Sequence, residues 1–440
     1  MATNGSGTSH GIARTSRART EEQRHQELEK IRKYRELEDQ VRSQAAQKEF
    51  GPELFQLTSK LLRLNPEYYT VWNIRRRSLI SGLLSRRSDG SSPLTESPIS
   101  SQTATTQASS AVSSSSSSDA TPPSHESQTT GKSGTIAEDS RNVDGEHEHA
   151  SNKQQDSDAT KAAAEKQDLD VLKSELAFTI PLLLESPKCY WIWSYRLWVL
   201  EQAIQRLQVP VARRIWQEEL GLATKMLTKD RRNFHAWGYR RHVVATLESA
   251  SLGGESMVEA EFDYTTHKIN QDLSNFSAWH NRSKLIPRLL DERGADDMAR
   301  EALLNQELGL VREGLNVGPD DQSLWYYHQW LMLNLVDHVG KPTIVPHFTL
   351  ENRVTYFMRE IREIKDLLED YKDVQLIYES LVDYTLSLCQ LEERQPNADE
   401  KGELVRWLDK LRKLDPMRSG RWTDLERDIG LKKLRQKQTQ

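Results

Sequence analysis

Five tryptophans, Trp72, Trp193, Trp237, Trp279 and Trp325, each carry a charged or titratable partner three residues further on. That partner is an arginine in four cases, Arg75, Arg196, Arg240 and Arg282, and His328 in the fifth. An indole is a large apolar plug with a single N–H donor. A guanidinium is a bidentate partner for a carboxylate, or a donor to exposed helix-end carbonyls. Other reactive groups stand alone. Cys189 and Cys389 are the only cysteines, too few for a disulfide framework or a Cys-based zinc site. Gly131-Lys132-Ser133 matches the end of a phosphate loop, but the glycine required five residues earlier falls on Glu126. His147-Glu148-His149 lies in a polar tract and reads as solvated side chains. No Ser/His/Asp or Cys/His pairing occurs in motif context, and no His-Glu-x-x-His. Taken alone, the residues point to interaction, with no catalytic kit and no metal site.

The elements that position these side chains follow from a period. The tryptophans at 193, 237, 279 and 325 are 44, 42 and 46 residues apart, whereas the gap from 72 to 193 is 121. Three residues before each Trp stand Tyr69, Tyr190, Phe234, Phe276 and, as the exception, Gln322. Ten before stand Leu62, Leu183, Leu227, Ile269 and Leu315; seventeen before, Phe55, Leu176, Leu220, Phe262 and Leu308. Glu175, Glu219, Glu261 and Glu307 immediately precede the last four of that second set. Apolar positions seven apart share one face of a helix after two turns. Each unit therefore reads as a helix, a tight turn rich in Pro, Asp or Asn, and a second helix bearing Trp and Arg. A single hairpin cannot bury its own apolar face, so the pattern predicts an all-α solenoid of stacked hairpins. Lys413–Trp422, KLDPMRSGRW, reads as a degenerate sixth unit with Leu425 in place of the Arg. Trp and Arg serve such a stack as core plug and ion-pair partner, or line a concave face that grips a partner.

The long gap has a compositional cause. Residues 81–160 hold 22 Ser and no Phe, Trp or Tyr, including the run Ser113–Ser118, so they cannot offset their ordering entropy. We divide the chain into a charged, partly helical segment 1–48, a first repeat 49–83 and a disordered insertion 84–165. Repeats two to five then occupy 166–335, and C-terminal helices with the degenerate unit occupy 336–440. In the N-terminal segment Glu29 and Lys33 have the favourable i, i+4 order, which predicts a solvated helix or a basic partner-binding arm. The chain of 440 residues carries a formal net charge of −5, which argues against bulk nucleic-acid binding. No run approaches the roughly 18–20 apolar residues that span a bilayer. The opening MATNGSGTSHGIARTSRARTEEQ has no apolar core of a secretory signal. These features predict a cytoplasmic protein.

The form Asn-Phe-x-Ala-Trp-x-x-Arg, with Asp seven residues before Trp, resembles the repeats of protein prenyltransferase α subunits. Within that family the strings TVWNIRR, SPKCYWIW, NFHAWGYRRHVV, NFSAWHNRSKLIP and DDQSLWYYHQWL are similar to the type II, or Rab, geranylgeranyltransferases. The HGIAR…EEQ start followed by a charged helix is similar to those subunits as well. The resemblance implies an α-α superhelix paired with a separate α/α-barrel β subunit. That partner would hold the zinc, the isoprenoid pocket and most catalytic residues, with no cofactor in this chain. The implied reaction moves geranylgeranyl from its diphosphate to C-terminal cysteines of Rab GTPases presented by an escort protein. Lys188, five before the second-repeat Trp, matches the one α-subunit residue that reaches the reacting centre, where its ammonium neutralises the departing diphosphate. Tyr190, Asn233, Phe234 and His235 are implied near the same substrate cleft. Two residues before the second-repeat Trp, farnesyltransferase-type α subunits carry a Gln that reads the substrate's terminal carboxylate, and here Trp191 stands instead. The alternatives are the α subunit shared by farnesyltransferase and geranylgeranyltransferase I, and a free-standing helical scaffold.

Overall fold

A computed structural model describes residues 20–86, 147–336 and 343–430, with side chains in the first long helix after the insertion described from Ala159 onward. HGIAR and the Ser-rich tract, including Gly131-Lys132-Ser133, lie outside the described residues, as do the side chains of His147, Glu148 and His149. Every regular element among the described residues is helical. The chain divides into two compact units, Met1–Glu175 and Leu176–Gln440.

In the first unit, helix α1 (Glu21–Ala46) starts at a capping box in which Thr20 and Gln23 satisfy each other's free backbone N–H. Glu29 binds Arg32 and Lys33 on its exposed face. The helix is also docked: Tyr34 accepts from Asn65 at 3.0 Å, Tyr68 donates to Glu38 at 2.6 Å, and Val41 is buried. Helices α2 (Pro52–Leu64) and α3 (Tyr69–Ser78) form the first hairpin, and a π-helical turn, Leu79–Leu83, ends it. The segment then closes on α4 (His147–Glu185), where Ser85 donates through N and Oγ to the two oxygens of buried Asp168, at 2.7 and 2.6 Å. Gln167 donates to the Leu83 carbonyl at 2.8 Å beside them.

The 84–165 assignment therefore extends too far at both ends. Leu84 and Ser85 are packed against ordered helix, and α4 begins at His147. The physical reason is the run Ala159–Gln167, ATKAAAEKQ, whose alanines and long straight-chain residues favour helix whatever surrounds them.

The second unit continues α4 from Leu176 and stacks hairpins from α5 (Tyr190–Arg206), α6 (Val209–Lys229), α7 (Phe234–Leu247), α8 (Val258–Gln271) and α9 (Phe276–Glu292). The hairpin of α10 (Asp297–Val317) and α11 (Gln322–Val336) follows. Each Trp plugs the stack and also locks its own turn. The indole Nε1 donates to the carbonyl six residues earlier in all five: Trp72 to Pro66 at 2.8 Å, Trp193 to Pro187 at 2.9 Å, Trp237 to Arg231 at 2.9 Å, Trp279 to Leu273 and Trp325 to Pro319 both at 2.7 Å. A carbonyl that would be orphaned in the turn is thereby satisfied inside the core.

Two further hairpins follow, one more than the periodicity indicated. Helices α12 (Leu350–Asp370) and α13 (Gln375–Leu391) form a full unit in which Tyr378 fills the Trp seat, its hydroxyl donating to the Lys372 carbonyl at 2.8 Å, again six residues back. The KLDPMRSGRW unit is the turn between α14 (Ala398–Leu414) and α15 (Ser419–Asp428), one hairpin later. Trp422 is buried there, but its Nε1 has no acceptor. Tyr for Trp and Leu381 in the Arg position hide the intervening unit from a search for Trp-x-x-Arg. The pair Glu360-Ile361, at the same distance before Tyr378 as Glu307-Leu308 before Trp325, still marks it.

Candidate functional site

The repeated arginines are all buried and all paired. In the first unit Arg75 grips Glu175 with both arms, Nε at 2.6 Å and Nη2 at 2.7 Å. In the second unit Arg196 pairs with Glu219, Arg240 with Glu261 at 2.9 and 2.6 Å, and Arg282 with Glu307 at 2.7 Å on each arm. Each acid lies in the first helix of the hairpin after the one that supplies the arginine. The spare Nη1 turns back to its own hairpin: Arg75 to Thr58 at 2.9 Å, Arg240 to Thr224 at 2.7 Å, Arg282 to Thr266 at 2.7 Å. The guanidinium carbons of Arg75, Arg240 and Arg282 sit over the rings of Phe55, Tyr264 and Phe262 at 3.8, 3.4 and 3.8 Å. Each nitrogen of a desolvated cation thus has a partner, the condition under which a buried ion pair is tolerated.

Tyrosines complete the acid side. Tyr239 donates to Glu219 at 2.5 Å and Tyr327 to Glu307 at 2.7 Å. Burial, reinforced by the adjacent glutamate charge, pushes both phenols well above their ordinary range, so they remain donors. At the fifth position His328 takes over from arginine. It is fully buried, with Nε2 3.2 Å from Glu360 and Nδ1 2.7 Å from the Tyr384 hydroxyl. Burial works to raise the Glu360 pKa, but the His328 hydrogen bond and charge, with Arg312 and Arg359, outweigh it and leave the carboxyl below its usual range.

These rungs hold the turns in register, and on the turn edge of the second unit the sequence candidates converge. Lys188 projects from the turn between α4 and α5 with its side chain 77 % exposed, its Nζ 3.9 Å from Asp230 in the next turn. Tyr190 opens α5, mostly exposed, and its ring lies 6.3 Å from that of His235 in α7. His235 also meets the ring of Phe234, which is 77 % exposed. Lys188, Tyr190, Phe234 and His235 therefore form one surface of two adjacent turns. Asn233 is not exposed on it. It is 2 % exposed, its Oδ1 caps α7 at Ala236 N (3.1 Å), and its Nδ2 donates to the Pro187 carbonyl at 3.2 Å. The spacing that put Asn233 beside Phe234 also makes it the N-cap of α7, and a capping side chain points into the turn.

Further along the same edge Phe276 and Tyr326 are exposed, and the groove between α9 and α11 is lined by Trp279, His280, Lys284 and Trp330 with them. Burial, with Lys284 and Arg241 nearby, depresses the His280 pKa. Sequence reasoning flagged Phe276 as a repeated aromatic but missed Tyr326, which stands one residue after its Trp where the other repeats carry an aromatic three before. Among the described residues no three His, Cys, Asp or Glu side chains converge as a metal site requires. No helix among them is long and apolar enough to cross a membrane.

Trp-locked α-hairpins, joined within each unit by buried Arg–Glu pairs and, in the second unit, presenting a lysine and aromatics on the turn edge, make this a helical-repeat protein. Five segments, 52–79, 172–203, 216–247, 258–289 and 304–335, match the protein prenyltransferase alpha subunit repeat, and the chain belongs to that family. It is 27 % identical over 443 residues to the geranylgeranyl transferase type-2 subunit alpha of Candida albicans, covering 94 % of this chain and 96 % of that one. It is 38 % identical over 221 residues to the protein of the same name from Schizosaccharomyces pombe, covering 49 % and 62 %. A chain of the solved Candida albicans protein geranylgeranyltransferase-I complexed with GGPP shares the fold, with a TM-score of 0.51, 16 % identity and coverage of 90 % and 91 %.

Proposed function

We propose that this chain is the α subunit of a heterodimeric type-2 protein geranylgeranyltransferase. The observation that carries the reading is the end-to-end likeness to a type-2 α subunit, 94 % of one chain against 96 % of the other. The partner is a β subunit that binds geranylgeranyl diphosphate. The substrates are Rab GTPases delivered by an escort protein, and the setting is the cytoplasm. The exposed aromatic row of Tyr190, Phe234, Phe276 and Tyr326 supports a protein partner on the turn edge, since aromatic anchors dominate such contacts. The described residues do not fit zinc, which belongs to the β subunit in this reading.

In the reaction a cysteine thiolate of the Rab tail, its proton already lost, bonds to C1 of the isoprenoid as the C1–O bond breaks, and the diphosphate leaves with the electron pair. Negative charge grows on the bridging oxygen, and a positioned ammonium lowers the energy of that state more than that of the bound substrate. Lys188 supplies it. Its long exposed side chain extends beyond the turn, held only by a distant contact to Asp230 that an incoming phosphate can outcompete. Tyr190 and His235 flank it and shield the site from water, and Phe234 packs against the partner or the isoprenoid. Trp191 in place of the carboxylate-reading Gln accords with a substrate presented by an escort protein.

The test is co-expression with a type-2 and with a type-1 β subunit, followed by size-exclusion chromatography and transfer assays on a Rab–escort complex and on a free C-terminal tetrapeptide. Transfer to the Rab–escort complex with the type-2 partner is expected. Transfer to the tetrapeptide alone would make this the α subunit shared by the other prenyltransferases. A stable monomer that binds neither partner would make it a scaffold.

A further inference from the structure

We infer that Asn233 is a positioning residue for Lys188, acting across the hairpin boundary through the carbonyl of Pro187. This rests on the assignment of Lys188 to the reacting centre. Pro187 precedes Lys188, so its carbonyl shares a rigid, planar peptide unit with the Lys188 nitrogen. Whatever fixes that C=O fixes the peptide plane that carries the Lys188 N and Cα, and so narrows the directions in which its side chain can leave the backbone. The oxygen accepts two bonds from different hairpins: Trp193 Nε1 from its own at 2.9 Å, and Asn233 Nδ2 from the next at 3.2 Å. Both lone pairs are engaged. The third hairpin reaches Lys188 at both ends, the backbone through Asn233 and the ammonium through Asp230, 3.9 Å away.

The tie is specific to this pair of turns. Asn275 holds the same place one repeat later, caps α9 at Ala278 N (3.2 Å) and is 0 % exposed, yet its Nδ2 has no acceptor. The next pair of turns is joined differently, by Ser323 Oγ donating to the Ser274 carbonyl at 3.1 Å. A repeat position that needed only a helix cap would not require the Asn amide to reach the preceding turn. Of these two capping asparagines, only the one beside Lys188 does so.

The experiment uses the assembled heterodimer. Asn233→Ser keeps a good cap but is too short to reach Pro187, and Asn233→Asp keeps the full-length cap while removing the donor. With either, kcat for transfer should fall about five- to tenfold with KM for geranylgeranyl diphosphate nearly unchanged. Heterodimer yield and melting temperature should hold in Asn233→Ser, whereas Asn233→Asp should also melt lower because its carboxylate is buried against the Pro187 carbonyl. In a Lys188→Ala background the same substitutions should have no further effect on kcat, because the group they orient is gone. Asn275→Asp should leave kcat at the wild-type value. Equal losses with Lys188 present and in the Lys188→Ala background would overturn the inference, as would a wild-type kcat in Asn233→Ser when Lys188→Ala is impaired. Wild-type turnover in Lys188→Ala would overturn this inference together with the role of Lys188, and is recognisable from the single variant alone.

Discussion

Arg282 and Glu307 meet through two bonds of 2.7 Å although they belong to consecutive hairpins and are both sealed from water. Removing one member leaves the other charged and desolvated, which costs about 3–5 kcal/mol. Arg282→Ala is therefore expected to lower the melting temperature sharply, and chemical denaturation is the direct measurement. The double variant Arg282→Met, Glu307→Leu should recover most of the loss, because no uncompensated charge remains. A double variant as unstable as the single one would show that the rung contributes packing that apolar residues cannot replace.

Lys188→Ala is expected to lower turnover while heterodimer assembly and thermal stability stay at wild-type levels. The side chain is exposed and makes no short contact, so the fold does not depend on it. Single-turnover transfer should reveal a loss of about ten- to a hundredfold if the ammonium meets charge in the transition state. A change in KM alone would restrict it to ground-state binding.

Asp383 gives a pH dependence of definite sign. Burial, with Glu379 adding to it and Arg421 opposing, raises its carboxyl from 3.8 to about 6. Between about pH 4 and 6 the folded state holds this proton more tightly than the unfolded chain, so stability falls as pH rises through that window and stays lower above it. Asp383→Asn should stabilise the protein at pH 7.5 by about 1–2 kcal/mol, a figure reduced for partial solvent access. The gain should disappear below pH 4. A gain that is independent of pH would attribute it to packing instead of charge.

At the base of the insertion, Ser85 and Asp168 should carry the closure. Asp168→Ala removes the acceptor of two short bonds and is expected to cost about 2–3 kcal/mol, read by denaturation. Replacing residues 90–140 with a short Gly/Ser linker leaves that contact intact, and heterodimer yield and transfer rate should match wild type. A failure to assemble would give the insertion a structural role.

The hairpins are legible because turn-locking imposes a fixed chemistry: an indole donor at one place, six residues after the carbonyl it serves. Burial of Leu62, Leu183, Leu227, Ile269 and Leu315 on one face follows from the same spacing. The sequence indicates that the arginines are paired, and it displays Glu219, Glu261 and Glu307 at a fixed place. It does not reveal that Arg196, Arg240 and Arg282 each skip their own hairpin's acid for the next one, since only the stacking register decides between two candidates at similar distances along the chain. The α12–α13 hairpin is hidden because Tyr378 does the work of Trp through a hydroxyl. The proposed roles of Lys188, Tyr190, Phe234 and His235 come from family resemblance alone. Asn233 stands beside Phe234 in the chain yet is buried as the cap of α7, because a cap and an exposed turn residue share one address in the sequence and only the fold separates them.

The Arg–Glu rungs also give the stack a grammar. Each hairpin through the fourth ends by offering a cation and each from the second to the fifth begins with the acid that receives the one before, so these units have a head and a tail. After His328 and Glu360 the offer stops: the corresponding places in the last two hairpins are Leu381 and Leu425. Hairpins from this chain can be neither shuffled nor reversed without stranding an arginine. A fragment cut after α9 would expose Arg282 as an open socket, ready to capture any hairpin that begins with a glutamate in the right register.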